Sequence, residues 1–395
     1  MREHICVVGL QWGDEGKGKI VDTLSGMVDV VVRFQGGGNA GHTVWVDGTK
    51  YVTHQIPIGI LHDDVIAVLG NGMVIDPSKF MEEFNTLTDD QKSRVKISDR
   101  AHLILSRHVE ADVQHETSAG KVVFGSTRRG IGPAYEDKYA RFGVRVGDLH
   151  RKGFIDTVDE RDRESLKRFY EVNVNNILDT VALLQKYDRA GASIMFEGAQ
   201  GVLLDIDFGE YPYVTSSHCT FLGVGPGTGF SPRAIDRVIG VVKAYPTRIG
   251  TGPFPTYADP ADDEALRQAG NEFGATTGRP RKCGWLDIPA LRYAIQISDI
   301  DEIALTKTDI LSGRKELPVC MAYELDGKKI DYFPSDTEMI SRVKPIYEMW
   351  PGWEHATMEE MEPFILDLEE VLQCPVSMIG CGPDRKDVII RDHDL

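Results

Sequence analysis

The sequence predicts an α/β fold with a large, mainly parallel central sheet flanked by helices and carrying long functional loops. Three observations predict it. Short β-branched runs recur at Ile5–Val8, Val28–Val32, Val65–Leu69, Ile194–Phe196, Val238–Val242, Ile303–Thr306 and Val388–Ile390. Several are unbroken apolar stretches, the pattern of strands buried on both faces of a sheet. Helix-period segments lie between them, and strands interleaved with helices build a mainly parallel sheet. The Gly- and Pro-rich stretches Gly36–Gly41, Gly223–Pro232 and Gly250–Pro260 carry aromatic and charged residues, so they read as ordered loops and not as linkers.

The first run leads into Gly9-Leu10-Gln11-Trp12-Gly13-Asp14-Glu15-Gly16-Lys17-Gly18-Lys19 and then a helical pattern. This is the layout of a phosphate loop. Its spacing departs from G-x-x-x-x-G-K-[ST], because Gly9 to Gly16 is two residues too long and Gly18 follows Lys17. Gly13, Gly16 and Gly18 let backbone N–H groups approach a phosphate, and Lys17 neutralises its charge. Asp14 and Glu15 would repel phosphate. A carboxylate here has two sensible uses: holding Mg2+, or taking a proton from a second substrate beside the terminal phosphate. The bland alternative is a tight strand-to-helix turn with solvated charges. Further along, Arg163–Leu184 reads as one helix. Pro363–Leu372 reads as another, opening on a proline suited to the first helical position.

With 395 residues the chain has room for two or three ordinary domains or one large one. No internal repeat or low-complexity tract divides it, so a single large domain over residues 1–395 is expected. Apolar residues at 42% and charged residues at 27% suit a soluble globular protein. A formal charge of −17 argues against a nucleic-acid partner. No apolar run reaches the roughly 18 residues of a membrane span, and the start lacks a signal-peptide pattern. A cytoplasmic protein with no membrane partner is expected. The six cysteines are scattered without a C-x-x-C pair, as in an enzyme with reduced thiols.

Four more constellations carry chemistry. Gln35-Gly36-Gly37-Gly38-Asn39-Ala40-Gly41-His42-Thr43 reads as a glycine-rich flap that brings polar groups and His42 over a ligand; a structural histidine is the alternative. Leu305-Thr306-Lys307-Thr308-Asp309 follows an apolar run and resembles the [NT]-K-x-D reader of guanine, whose N1 and N2 hydrogens a carboxylate accepts. With the phosphate loop it implies a P-loop NTPase-like GTP site. Gly274-Ala275-Thr276-Thr277-Gly278-Arg279-Pro280-Arg281-Lys282 gathers cations and hydroxyls in an acidic protein, a pocket fit for a small carboxylate or else a solvated basic loop. Ser126–Pro133 and Val214–Ser217 are hydroxyl-rich, either a second phosphate site or plain surface turns. Phe196–Gly201 ends an apolar run with Gln200 free to hydrogen-bond. A GTP reader, a second phosphate site and a small-anion site outline a three-substrate ligase.

Together QWGDEGKGK, GGxNAGHT, RGIGPAYEDK, FEGAQG, YPYVTSS, GPFPT, NEFGATTGRPR, GWLD, LTKTD and GPDR, in order from about residue 4 to 392, resemble the adenylosuccinate synthetase family. The resemblance implies a GTP-dependent, Mg2+-requiring cytoplasmic homodimer. It would join L-aspartate to IMP through a 6-phosphoryl-IMP intermediate, the first committed step from IMP to AMP. It implies Asp14 as the base at IMP N1 and as a metal ligand, with the Gly41 carbonyl as another. His42 resembles the group that stabilises the transferring phosphoryl, and Gln200 the one that holds the IMP base. Gly13, Glu15, Gly16, Lys17, Gly18, Lys307, Asp309, Gly382 and Pro383 would bind GTP. Asn39, Thr127, Thr215 and Arg279 would bind IMP, together with Arg141 lent by the other subunit. Thr277, Arg279 and Arg281 would bind aspartate. Gly38, Arg128 and Gly380 depart from the family's usual residues. A paralogue acting on GMP or dGMP, or a GTP-binding switch, are the alternative readings. The cationic Arg279–Arg281 pocket argues against the switch.

Overall fold

The computed structural model describes residues 2–117, 125–274 and 278–391. Ten strands form the main sheet: β1 His4–Gly9, β2 Val30–Arg33, β3 Ile66–Leu69, β4 Val95–Ser98, β5 Ile177–Leu178, β6 Ile194–Glu197, β7 Arg237–Lys243, β8 Glu302–Thr306, β9 Val376–Gly380 and β10 Val388–Ile390. Their order is β10-β9-β8-β7-β1-β6-β2-β3-β4-β5. Every neighbouring pair is parallel except β9 with β10. The predicted run Val388–Ile390 is thus an antiparallel edge.

The β-branched runs form strands because both of their faces are buried. Ile5 and Val7 of β1 pack with Ile20, Val21 and Leu24 of helix α1 (Lys17–Ser25) and with Val31, Met195 and Ile239. Cys6 and Val8 point the other way, against Val32, Phe196, Val238 and Val242. This two-residue alternation puts one cluster on each side of the sheet. Each buried apolar side chain contributes about 1.5–3 kcal/mol.

Six further helices matter here: α2 Ile131–Ala140, α3 Glu160–Asn173, α4 Thr180–Arg189, α5 Pro260–Gly270, α6 Ile288–Ser298 and α7 Met358–Leu372. Two sequence expectations are corrected. The helix read over Arg163–Leu184 is two helices separated by β5. The backbone turns at Asn176, whose N–H donates to Asn173 O, and Asp179 caps α4 by accepting from Val181 and Ala182 N–H. The helix read from Pro363 begins five residues earlier, after Thr357, with Glu359 and Glu360 in the first turn beside the positive end of the helix dipole. Pro363 lies inside it on the exposed side.

A smaller sheet joins Leu286–Asp287, Arg314–Leu325, Lys328–Ile330 and Lys344–Trp353. The chain runs from β1 to one edge for β2–β5, returns with β6 between β1 and β2, and crosses to the other side with β7. The loops after β1, β2, β6, β7, β8 and β9 therefore leave from one end of the sheet, around the switch point where α/β folds bind ligands. All six cysteines are unpaired, five of them buried. No helix among the described residues is long and apolar enough to cross a membrane.

Candidate active site

The loop after β1 runs into α1, whose N-cap Gly16 has φ 89, a left-handed conformation that glycine adopts without penalty. The Glu15 carboxylate is fully buried and folds inward. It accepts from Gln11 N–H at 3.1 Å and Gly13 N–H at 2.8 Å, and pairs with Lys17 Nζ at 2.5 Å. A Cβ on Gly9 or Gly201 would overlap this carboxylate. Glu15 is thus placed as an internal clasp that shapes the loop, not as an outward contact, and Lys17 is held by it. Asp14 turns outward with φ 60. Its Oδ2 lies 2.8 Å from Arg281 Nε.

The loop after β2 is pinned at three points. Gly36 N–H donates to Tyr135 Oη at 2.9 Å, Arg129 donates to Gly38 O at 2.5 Å, and His54 Nδ1 donates to Ala40 O at 2.8 Å. A Cβ on Gly38 would stand in ordinary contact with Arg129 Nη1 at 3.7 Å and with Gln55 at 3.8 Å. Asn39 Oδ1 is buried with no hydrogen-bond partner among the described residues. The loop leads into the hairpin His42–Val46 with Thr49–Thr53. His42 is buried, and its Nδ1 donates to Glu197 at the end of β6. Glu197 also accepts from Ile58 N–H at 3.0 Å and lies 3.5 Å from Arg33 Nη1. Burial lowers the His42 pKa, while the charge and hydrogen bond of Glu197 raise it. Gln200 follows with φ 57. Its Oε1 has no partner among the described residues and would stand 3.1 Å from a Cβ on Gly36, so Gln200 sits beside the β2 loop.

The N-terminus of α2 meets the same place. Gly130 opens the helix with φ 74, and a Cβ on Gly132 would lie 3.4 Å from Ser216 Oγ. Thr127, Asn39 and Thr215 therefore come from three segments that adjoin one another, beside a helix start able to hold an anion. Arg279 donates to Gly125 O and Ser126 O at 3.1 and 2.9 Å, which docks the cationic loop beside Thr127. Thr277 lies outside the described residues. Arg141 is elsewhere. It caps the far end of α2 and is exposed between Tyr139 and Phe142, which are 66% and 78% exposed. Ten helical residues separate it from the α2 start, a rise of about 15 Å.

On the other side of β1, Thr306 Oγ1 donates to Glu15 O at 2.5 Å and ties β8 to the phosphate loop. Lys307 has φ 62 and donates to Gly270 O at 2.9 Å. Asp309 is half-buried with Oδ1 unpartnered among the described residues; burial raises its pKa, against Lys307 and Lys19. Lys19 Nζ donates to Gly382 O at 2.6 Å and Asp387 O at 2.7 Å, bringing the Gly382-Pro383 loop to the same cleft. Asp14, Gln200 and Lys307 share left-handed backbone, which costs a non-glycine residue about 1–3 kcal/mol and clusters at functional sites.

Sequence reasoning missed Glu197, Arg33, Lys243 and Glu272. Glu272 is fully buried and accepts from Tyr245 Oη and Arg281 Nη1, each at 2.7 Å, with Lys243 Nζ at 3.2 Å. Burial pushes its pKa up, but Lys243, Arg281 and Lys307 outweigh that and hold it down at about 2. The signal available was positional: Arg33, Glu197 and Lys243 are charged residues that end buried apolar strands on the side where the loops gather.

The loop after β1, the start of α2 and the segments carrying Arg279–Arg281 and Lys307–Asp309 gather at one end of a mainly parallel sheet, the arrangement of a nucleotide-using α/β enzyme. Residues 6–389 match the family model described as adenylosuccinate synthetase, and the chain belongs to that family of GTP-dependent enzymes of purine biosynthesis. It is 44% identical over 419 residues to the adenylosuccinate synthetase of Christiangramia forsetii, covering 98% of this chain and 99% of that one. It is 44% identical over 427 residues to that of Chlorobium limicola, covering 99% and 98%. The fully ligated adenylosuccinate synthetase of Plasmodium falciparum superposes with a TM-score of 0.93 at 38% identity, covering 99% of this chain and 100% of that one. A cyanophage S-2L succinoaminodeoxyadenylate synthetase, bound to dGMP and dATP, shares the fold at a TM-score of 0.69 and 22% identity, over 100% and 96% of the two chains.

Proposed function

We propose that this chain, acting as one domain over its 395 residues and in the cytoplasm, uses GTP to join L-aspartate to IMP. The products are adenylosuccinate, GDP and phosphate, formed through 6-phosphoryl-IMP. The observation that carries the reading is the 2.8 Å approach of Asp14 to Arg281. It sets the carboxylate of the phosphate loop against the cation of the small-carboxylate pocket, so the group that takes a proton and the group that holds the amine donor share one point.

Asp14 takes the N1 proton of IMP, and O6 attacks the γ-phosphate of GTP, breaking its bond to GDP. The aspartate amine then displaces the phosphate from C6. Hydroxide, a poor leaving group, is thereby replaced by phosphate. Gln200 holds the base, and Asn39, Thr127, Thr215 and Arg279 hold its phosphate with Arg141 of a second subunit. Thr277, Arg279 and Arg281 hold aspartate. Lys17 and the loop N–H groups hold the GTP phosphates, Glu15 keeps the loop in shape, and Lys307, Asp309, Gly382 and Pro383 enclose guanine. Asp14 carboxylate and Gly41 carbonyl are oxygen donors that fit Mg2+; bound there, the ion would neutralise phosphate charge. Arg141 cannot reach the start of its own α2, which supports its action across a homodimer.

A panel of IMP, dIMP, GMP and dGMP under saturating GTP and aspartate tests the acceptor. IMP is expected to give the highest kcat/KM, because Asp14 beside N1 suits a 6-oxopurine without a 2-amino group, and Arg128 near the phosphate would tighten all monophosphates alike. A higher value for GMP or dGMP overturns IMP as substrate.

A further inference from the structure

We infer that Glu272 is the positioning residue that aims Arg281 at the carboxylate of the amine donor. This rests on Arg281 as an aspartate ligand, as proposed above. Glu272 and Arg281 face each other across the base of the cationic loop. Arg281 N–H donates to Glu272 O at 3.0 Å, Phe273 bridges to Pro280, and Gly274 N–H donates to Arg279 O at 2.8 Å. The side chains repeat the pairing, with Nη1 of Arg281 on Glu272 at 2.7 Å.

The guanidinium therefore stands between two unequal carboxylates. Glu272 is buried and anchored by Tyr245 and Lys243, whereas the Asp14 side chain on the Nε edge is 34% exposed. An arriving carboxylate can replace Asp14 but not Glu272. Glu272 thus fixes the plane of the fork, leaving its outer edge for bidentate recognition. The same residue also faces Lys307 Nζ at 4.0 Å, while Lys307 is held separately by Gly270 O. Without the Glu272 charge, the buried Lys243 and Arg281 would repel each other, and Arg281 is the one free to swing outward.

Steady-state kinetics of Glu272→Gln test this. The aspartate KM should rise about tenfold or more, with the IMP KM within about twofold of wild type. Tyr245→Phe, which loosens the anchor without changing charge, should raise the aspartate KM alone by about two- to threefold. If Glu272→Gln does not fold, the charge-compensated Lys243→Met/Glu272→Gln protein, which lacks the Lys243 repulsion but also the Glu272 charge on Arg281, should show a smaller rise confined to the aspartate KM. An unchanged aspartate KM overturns the inference. So does a parallel rise of all three KM values, a fall in kcat alone, or failure of both proteins to fold, each of which marks a structural role. Should wild-type protein not ligate aspartate, the functional reading itself falls. Should it do so while Glu272→Gln keeps a normal aspartate KM, only this inference falls.

Discussion

His42 donates from Nδ1 to Glu197, and the two are held together although 155 positions separate them in the chain. The contact fixes the tautomer, because a carboxylate accepts only from a protonated nitrogen, and it leaves Nε2 as the ring nitrogen not engaged by Glu197. The role implied for His42, stabilising a transferring phosphoryl, requires a proton on Nε2. Burial opposes the imidazolium, as do Arg33 and Lys17, and Glu197 favours it. Glu197→Gln should therefore lower kcat by about 10²-fold near neutral pH and move the alkaline limb of the pH profile to lower pH. A profile with an unmoved limb would leave Glu197 as a mere packing contact.

In the Lys307–Asp309 segment, Asp309 Oδ1 has no partner among the described residues, and Lys307 is fixed by Gly270 O. A carboxylate there accepts two guanine hydrogens, whereas an amide accepts one and donates one. Asp309→Asn should lower kcat/KM for GTP by about 10²-fold or more and raise it for xanthosine triphosphate, whose 2-oxo group accepts. Competition between the two triphosphates measures the change, and an unaltered preference removes Asp309 from the base site.

Much of this arrangement was legible in the sequence. Runs such as Val238–Val242 read as buried strands because both faces are apolar, and Gly-rich loops following them mark the ligand end of a parallel sheet. Glu15 read as a GTP-binding residue of the phosphate loop, because spacing reveals a residue's position and not the direction of its side chain, which folds inward. Glu197 and Glu272 were hidden for a different reason: His42 opens a separate hairpin and Lys243 ends β7, and only tertiary packing brings each to its carboxylate. The break at Asn173–Asn176 was missed because apolar residues on both sides keep a helical period through it.

Stability should report a buried acid outside the cleft. Asp287 caps α6 through Ala290 N–H and accepts from Tyr323 Oη at 2.5 Å, while its Oδ2 is buried and unpartnered among the described residues. Burial raises its pKa from 3.8 to about 7, with Glu210 adding to the rise against the two hydrogen bonds. The folded state thus holds a proton that the unfolded chain loses at lower pH. This contribution is full below 3.8 and is lost as pH rises through about 7. Asp287→Asn keeps the cap without the ionisation, so its Tm relative to wild type should climb between these limits and exceed it at pH 8 by about 2 °C or more. A constant Tm difference across that range would show that Asp287 ionises alike in both states.

Arg141 provides the test of assembly. It lies at the far end of α2 from the helix start proposed to hold the IMP phosphate, flanked by the exposed Tyr139 and Phe142, as the two-subunit reading requires. Asp14→Asn should lose proton abstraction and fall by about 10²–10⁴-fold, and Arg141→Leu should bind IMP weakly. In a mixed dimer, the Arg141→Leu subunit still supplies Asp14 to its own site and receives Arg141 from its partner, so one site of the two is whole. The other site lacks both groups. Equal mixing with random exchange makes half the dimers hybrid, so activity should recover to about one quarter of wild type. Neither variant alone should approach that level. If subunit exchange is verified by mass and no activity returns, Arg141 does not complete a neighbour's site, and the two-subunit reading of the IMP phosphate pocket fails while the GTP and aspartate assignments stand.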